Sequence, residues 1–274
     1  MSSIYQTKTC VGIGDLIFTY SLTEQVKHIY SEIRVCPDYS ILKSVRSGSK
    51  ESHDFTKQFV SLLFNEPYYT VLEELNLPTI NPEVLSKSLN RKIKFVDLTN
   101  KTNLFIPTDI GIEDYVVINT KIRGITRTNF DLVKDKFFEV IKNSKRKIVL
   151  IGERNNGINK EAEYCNIYTI YNDLKKVLSE TDYIDLTKET ILDIPNIDKF
   201  KRDITIIKNA RGSISFGVSG IVTLNTAISK TCAVFRCDDF DYSYLDNSFI
   251  GMGTNKMVTT DIDKFIEFIT KMYF

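Results

Sequence analysis

Four short segments of this chain bring together residue types that could do chemistry. Gly12-Ile13-Gly14-Asp15 sets two glycines and a carboxylate where a first strand gives way to a first helix. Gly12 and Gly14 let the backbone turn tightly and approach a ligand. Asp15 suits two roles, a helix-starting cap worth about 1 kcal/mol or a general base. The pattern GxGD is not GxGxxG, so no dinucleotide fingerprint is present. Phe216-Gly217-Val218-Ser219-Gly220 follows the strand-like run SISF and precedes a helical stretch. Small residues there leave backbone N–H groups uncovered at a helix start, where a phosphate binds well. An ordinary cap followed by glycine reads the same way. Asn119-Thr120-Lys121-Ile122-Arg123-Gly124 is expected to be a loop after YVVIN, and Lys121 and Arg123 could neutralise a diphosphate from it. Gly152-Glu153-Arg154 follows KIVLI, and a carboxylate in such a position can accept hydrogen bonds from a ribose diol.

Two other patterns carry less. Asp239 and Asp241 have an Asp-x-Asp spacing that could hold a divalent metal, but the acidic loop around them is read as solvated. Tyr68-Tyr69 could stack on a base, though strand packing is the simpler role. The chain has 5 cysteines, none in a CxxC pair, and 2 histidines. An odd, scattered set points to buried thiols in a reducing compartment, and no metal site is expected.

Charge excludes another class. The net charge is +1, from 36 basic and 35 acidic residues, and residues 1–109 carry 12 of each. Such balance gives no general case for nucleic acid. No stretch approaches the roughly 18 apolar residues of a membrane span, and the first residues lack a signal-peptide core, so a cytoplasmic protein is expected.

The elements that must hold these segments are clearest in the second half. Tyr115–Asn119, Lys147–Ile151, Ser213–Phe216 and Cys232–Phe235 are continuous apolar or β-branched runs, the mark of buried strands. Helical spacing covers Phe130–Asn143, Asp198–Ala210, Ser219–Ser229 and Asp261–Lys271. A further helix and a short strand at Ile167–Ile170 fit within Asn159–Ser179, and Asp182–Asp185 reads as an edge strand. Alternation of strand and helix implies a parallel sheet, with ligands at the C-terminal ends of its strands. In the first half the pattern predicts strands at Lys8–Gly12, Tyr68–Leu72 and Ile93–Leu98. It also predicts helices at Leu16–Ile33, broken near Ser21, and at Ser52–Phe64. Residues 1–109 then form a small α/β lobe and 110–274 a larger nucleotide-binding one, joined through Thr99–Glu113. The terminal helix is expected to pack back on the first lobe.

In order, these segments resemble glycosyltransferase family 9, the ADP-heptose:lipopolysaccharide heptosyltransferases. GIGDLIFTYSL (12–22) is similar to the family's opening segment, KIVLIGE (147–153) to its strand ending in glycine, and residues 206–238 to its helix–strand–helix–strand donor segment. The resemblance implies an α/β protein of GT-B type, two Rossmann-like lobes facing a cleft, the N-terminal one small. It implies Asp15 as catalytic base, with the donor contacted by Ser219, Gly220, Lys121 and Glu153. Gly12, Gly14, Arg123 and Thr223 complete the expected donor-binding set. The family's acidic residue and histidine around this motif are Val218 and Thr223 here, which leaves the donor open.

The reading is a metal-independent glycosyltransferase without a resident cofactor. It would take a nucleotide-diphosphate sugar as donor and a glycan or other hydroxyl compound as acceptor. An epimerase or hydrolase of similar fold, or a non-catalytic GT-B scaffold, are the alternatives.

Overall fold

A computed structural model describes residues 3–42, 49–91, 94–123, 127–157, 167–179, 182–187, 196–217, 220–236 and 255–274. The N-terminal lobe is built from β1 (Ile4–Thr9), α1 (Ile13–Glu24), β2 (Glu32–Pro37), α2 (Lys50–Leu63), β3 (Tyr69–Val71), β4 (Thr79–Ile80) and α3 (Pro82–Ser88). Its four strands are parallel, in the order β3-β2-β1-β4. Ile33 and Val35 of β2 are buried on the helix side. Glu32 and Arg34 alternate to the opposite face, where they pair at 2.9 Å beside Gln6 and the half-buried Lys8 of β1. A parallel sheet is ordinarily covered on both faces; here one face carries polar side chains.

The second lobe comprises β5 (Tyr115–Asn119), β6 (Lys121–Arg123), α4 (Arg127–Lys142), β7 (Lys147–Ile151), β8 (Ile167–Thr169), α5 (Tyr171–Val177), β9 (Tyr183–Asp185), α6 (Ile197–Asn209), β10 (Gly212–Phe216), α7 (Gly220–Ile228), β11 (Cys232–Phe235), β12 (Lys256–Thr259) and α8 (Ile262–Tyr273). Six parallel strands run β12-β11-β10-β5-β7-β9. Numbered by appearance, this is the doubly wound order 3-2-1-4-5-6, with its switch point between β5 and β10. The N-terminal sheet has the first four places of the same order.

Two apolar clusters cover the faces of the larger sheet. On one, Phe130, Phe137, Phe216, Phe265, Ile269 and Tyr273 form an aromatic-rich layer under α4 and α8. The other face shares a single cluster with the N-terminal lobe: Leu16, Ile17 and Phe59 belong to it together with Val117, Ile206, Leu224 and Ile228. Helix α1 packs against α7 within it. Phe200 of α6 meets Phe55 and Phe59 of α2 edge-on at 5.2 and 5.5 Å.

Several expectations are corrected. Helix α1 is unbroken at Ser21 and stops at Glu24, so residues 32–37 form a strand instead of a helix tail. The expected strand at 93–98 is unpaired over 94–98; its backbone is satisfied by the Ser21 hydroxyl (Val96 N, 3.2 Å) and the Ala227 carbonyl (Leu98 N, 3.1 Å). Helix α8 packs on α4, β11 and β12 of the larger lobe, because Phe265, Ile269 and Tyr273 complete the aromatic layer there. Tyr69 is buried and bonds to Thr23 at 2.7 Å, a packing role. Among the described residues no helix is long and apolar enough to cross a membrane.

Candidate functional site

The C-terminal ends of β5 and β7 meet at one tight backbone crossing. Gly152 follows β7 with φ +103, and a β-carbon there would lie 2.6 Å from Asn119 Oδ1 and 2.8 Å from Thr120 Oγ1. Only glycine fits such a position. Thr120 is fully buried; its one hydroxyl proton is shared between the carbonyls of Ile151 (3.0 Å) and Glu153 (2.9 Å), and the oxygen accepts from Glu153 N (2.9 Å). Two successive turns are thereby fixed, with three polar side chains at the sheet's C-terminal edge.

Those side chains are Asn119, Lys121 and Glu153. Asn119 Oδ1 accepts from Lys121 N at 3.1 Å, which fixes the amide orientation. Asn119 is fully buried, yet its Nδ2 donor has no partner. Glu153 is 8% exposed; Oε1 lies 3.4 Å from Lys121 Nζ, and Oε2 is buried without a partner. Asn225 of α7 donates to Ser215 Oγ at 3.0 Å, and its Oδ1 is likewise unpartnered. Buried polar atoms are nearly always hydrogen-bonded. Of the six such atoms without a partner among the described residues, three lie here, at the end of β5, after β7 and on α7.

Arg154 is held rather than offered. Its Nε donates to Thr187 Oγ1 at 2.8 Å, Nη2 lies 3.2 Å from Asp185, and its guanidinium sits 5.6 Å from the centre of the Tyr171 ring. Burial opposes the charge on Asp185. Hydrogen bonds from Thr187 and Tyr171, with Arg154 nearby, outweigh that and hold its pKa below the usual value.

Beside β5, Gly217 turns with φ +70, its N–H donating to Phe235 O at 2.8 Å. Helix α7 starts at Gly220, and Thr223 is buried within it. Ser219 and Val218 lie outside the described residues, as do Asp239 and Asp241. The segment expected as a cationic loop is a strand: Lys121–Arg123 pairs antiparallel with Ile167–Thr169, because Ile122 is an apolar residue buried in the second cluster. The structure thus brings Lys121 and Glu153 together, while of Arg123 it describes only the backbone.

In the N-terminal lobe, Gly12 is the N-cap of α1 and Asp15 lies in the first turn. Asp15 therefore does not start the helix; its carboxylate folds back over Gly12, where a β-carbon would meet Oδ2 at 2.5 Å. Gly14 occupies the same turn. The thiol of Cys10 is pushed up to about 11 by burial and by the carboxylates of Asp15 and Asp38. Asp38 closes β2, with Oδ1 accepting from Ser40 Oγ (2.6 Å) and Ser40 N (3.1 Å), Oδ2 from Thr79, and Lys8 Nζ at 3.9 Å. An open cleft of about 520 Å³ lies against it.

Sequence reasoning names Asn119 and Thr120, the two polar residues that end a buried apolar run, only as part of a segment whose chemistry it gives to Lys121 and Arg123, and it passes over Lys8, Asp38 and Asn225. For the first two the signal was available: polar residues that stay buried at a strand's C-terminal end face the ligand edge.

Two Rossmann-like lobes, the smaller one first, make this a GT-B fold. No family profile and no curated protein matches the sequence; solved structures do. The dodecameric iron-containing heptosyltransferase TibC, in complex with ADP-D-beta-D-heptose, superposes with a TM-score of 0.50 and 10% identity over 86% of this chain and 59% of its own. The TibC glycosyltransferase from enterotoxigenic E. coli H10407 gives 0.47 and 10%, over 86% and 58%. E. coli ADP-heptose lps heptosyltransferase II gives 0.47 and 11%, over 100% and 98%. The chain thus spans about 59% of the length of the first of these. At such identity the likeness is one of fold.

Proposed function

We propose that this chain is a glycosyltransferase that moves a sugar from a nucleotide-diphosphate sugar to an acceptor hydroxyl. The observation that carries the reading is the pair of unpartnered buried atoms, Asn119 Nδ2 and Glu153 Oε2, on the C-terminal edge of a 3-2-1-4-5-6 sheet. A buried donor and a buried acceptor without partners there mark a polar site, and this edge is where such sheets hold nucleotides. In this reading Glu153 accepts from the ribose hydroxyls. Lys121, Arg123 and the start of α7 at Ser219-Gly220 take the diphosphate, with Thr223 one turn further on.

Asp15 acts as general base from the opposing lobe. Its carboxylate removes the proton of the acceptor hydroxyl as that oxygen bonds to the anomeric carbon, while the bond from that carbon to the diphosphate oxygen breaks. The nucleoside diphosphate leaves with the electron pair. Its charge is met by the helix start and by Lys121 and Arg123, with no metal assigned to the step. Gly12 and Gly14 keep the turn before Asp15 narrow enough for the donor to approach. The reaction is set in the cytoplasm, with no nucleic acid involved.

Thermal unfolding against nucleoside diphosphates and nucleotide sugars tests this directly, with and without a chelator. A donor at a hundred times its Kd adds about 2.7 kcal/mol to stability and raises Tm accordingly. Donor cleavage should then require an acceptor. Cleavage to free sugar without one would mean a hydrolase, and no shift with any nucleotide would leave a scaffold.

A further inference from the structure

Residues 96–106 lie between the lobes and are bonded to both. On the first lobe, helix α2 ends in carbonyls that no helical N–H can reach. Leu62 O accepts instead from Asn103 Nδ2 at 2.8 Å and from Lys101 Nζ at 3.4 Å. Lys101 Nζ also donates to Asn65 Oδ1 at 2.8 Å, pairs with Glu66 at 3.0 Å and lies 4.7 Å from the centre of the Tyr20 ring. Val96 N is held by Ser21 Oγ of α1.

The second lobe grips the same segment. Ala227 O, at the end of α7, accepts from Leu98 N at 3.1 Å. From α6, Lys208 Nζ donates to Thr99 O at 2.8 Å and stands 4.0 Å from the centre of the Phe105 ring. Thr205 Oγ1 accepts from Ile106 N at 3.1 Å. Leu98 and Leu104 are fully buried in the cluster common to both lobes. First-lobe and second-lobe anchors therefore alternate along the segment, and a shift of one lobe against the other pulls it two ways. A connection that served only as a tether would run over the surface with its backbone in water.

Lys101 is where this arrangement is weakest. Its side chain is 10% exposed, and burial lowers its pKa even though Glu66 favours the charge. An ammonium held in that way sits at a net electrostatic cost. The segment should open there more readily than the central strands do.

We infer that residues 96–106 form a releasable clasp between helices α1 and α2 of the first lobe and α6 and α7 of the second. Lys101 and Lys208 are its catches, and it opens as one unit ahead of either lobe.

The test is amide hydrogen exchange, followed residue by residue by NMR on the whole chain. Leu98 and Ile106 should exchange at a common rate, about tenfold or more faster than the slowest amides of β5 and β7. Lys101→Met removes the first-lobe catch. It should speed Leu98 and Ile106, which are bonded to the second lobe, about tenfold and leave β5 and β7 unchanged. Lys208→Met should do the same to Val96, which is bonded to the first lobe. Effects confined to the side of each substitution would make the two lysines separate local contacts and overturn the clasp. Leu98 and Ile106 amides as slow as those of β5 and β7 in the wild type would overturn its release. If Lys101→Met does not fold, the response of Val96 to Lys208→Met decides alone. No nucleotide enters these measurements, so their outcome is independent of the transferase reading.

Discussion

Gly152 and Asn119 stand in such close opposition that a single added methyl at 152 would lie 2.6 Å from the side-chain amide oxygen of Asn119. The same methyl would also crowd Thr120 Oγ1 and the Lys121 N–H, at 2.8 and 3.2 Å. With φ at +103 the backbone itself disfavours any side chain. Gly152→Ala should therefore cost about 3 kcal/mol in urea unfolding and should weaken nucleotide binding, because Asn119 and Lys121 both move. A variant of unchanged stability would contradict the tight crossing.

Asp15→Asn separates binding from chemistry. The carboxamide fits the space over Gly12 but cannot take a proton. Transfer should fall by about 10²–10⁴-fold, with the donor Kd unchanged by titration calorimetry. Full activity would remove Asp15 from the role of base.

Glu153→Gln should weaken a ribonucleotide about ten- to a hundredfold, the range for a hydrogen bond to a charged group. A 2′,3′-dideoxy analogue should be indifferent to the substitution. Equal losses for both nucleotides would place the ribose elsewhere.

Asp185 links stability to acidity. Its pKa is lowered in the folded chain, so the stability it contributes is fully present above the unfolded value near 4 and is lost as the pH falls through the lower folded value. Asp185→Asn should flatten the acid limb of Tm against pH below about pH 4, while wild type declines there. Identical acid limbs would show that Arg154, Thr187 and Tyr171 do not favour the charged form.

Tyr273→Ala tests the second apolar cluster. The ring packs against the space left by Gly212 and its hydroxyl reaches Ser213 O at 3.2 Å, with 1% of the residue exposed. Its removal should cost about 3–5 kcal/mol by denaturant unfolding.

Legibility in the sequence followed burial. YVVIN, KIVLI and CAVF are strands buried on both faces, and their continuous apolar runs mark Tyr115–Asn119, Lys147–Ile151 and Cys232–Phe235 without error. Strand β2 was hidden because its sheet has one polar face: EIRVCP alternates instead of running apolar, and it directly follows a helical pattern. β12 was missed because KMVT is only partly buried at the sheet edge. Helix α3 had a signal, Asn81 as cap with Pro82 behind it, the cap accepting from Val84 N at 2.9 Å. At the site, Lys121 and Glu153 could be named from their place after apolar runs. That they pair, and that the buried Asn119 lies beside them, depends on the register of β5 with β7.

The apolar cluster common to both lobes also bears on how the protein can move. Swinging the lobes apart about a hinge would drag Leu16, Ile17, Leu224 and Ile228 into water together, and each fully exposed aliphatic side chain costs about 1.5–3 kcal/mol. On the proposed function, entry and exit of a nucleotide-sugar donor are better served by sliding α1 along α7, a shear that keeps the seam dry. For the same reason, halves expressed separately on either side of the 99–113 connection would each carry a raw apolar face. The chain should then melt in one cooperative transition by calorimetry, a single thermodynamic body built of two lobes.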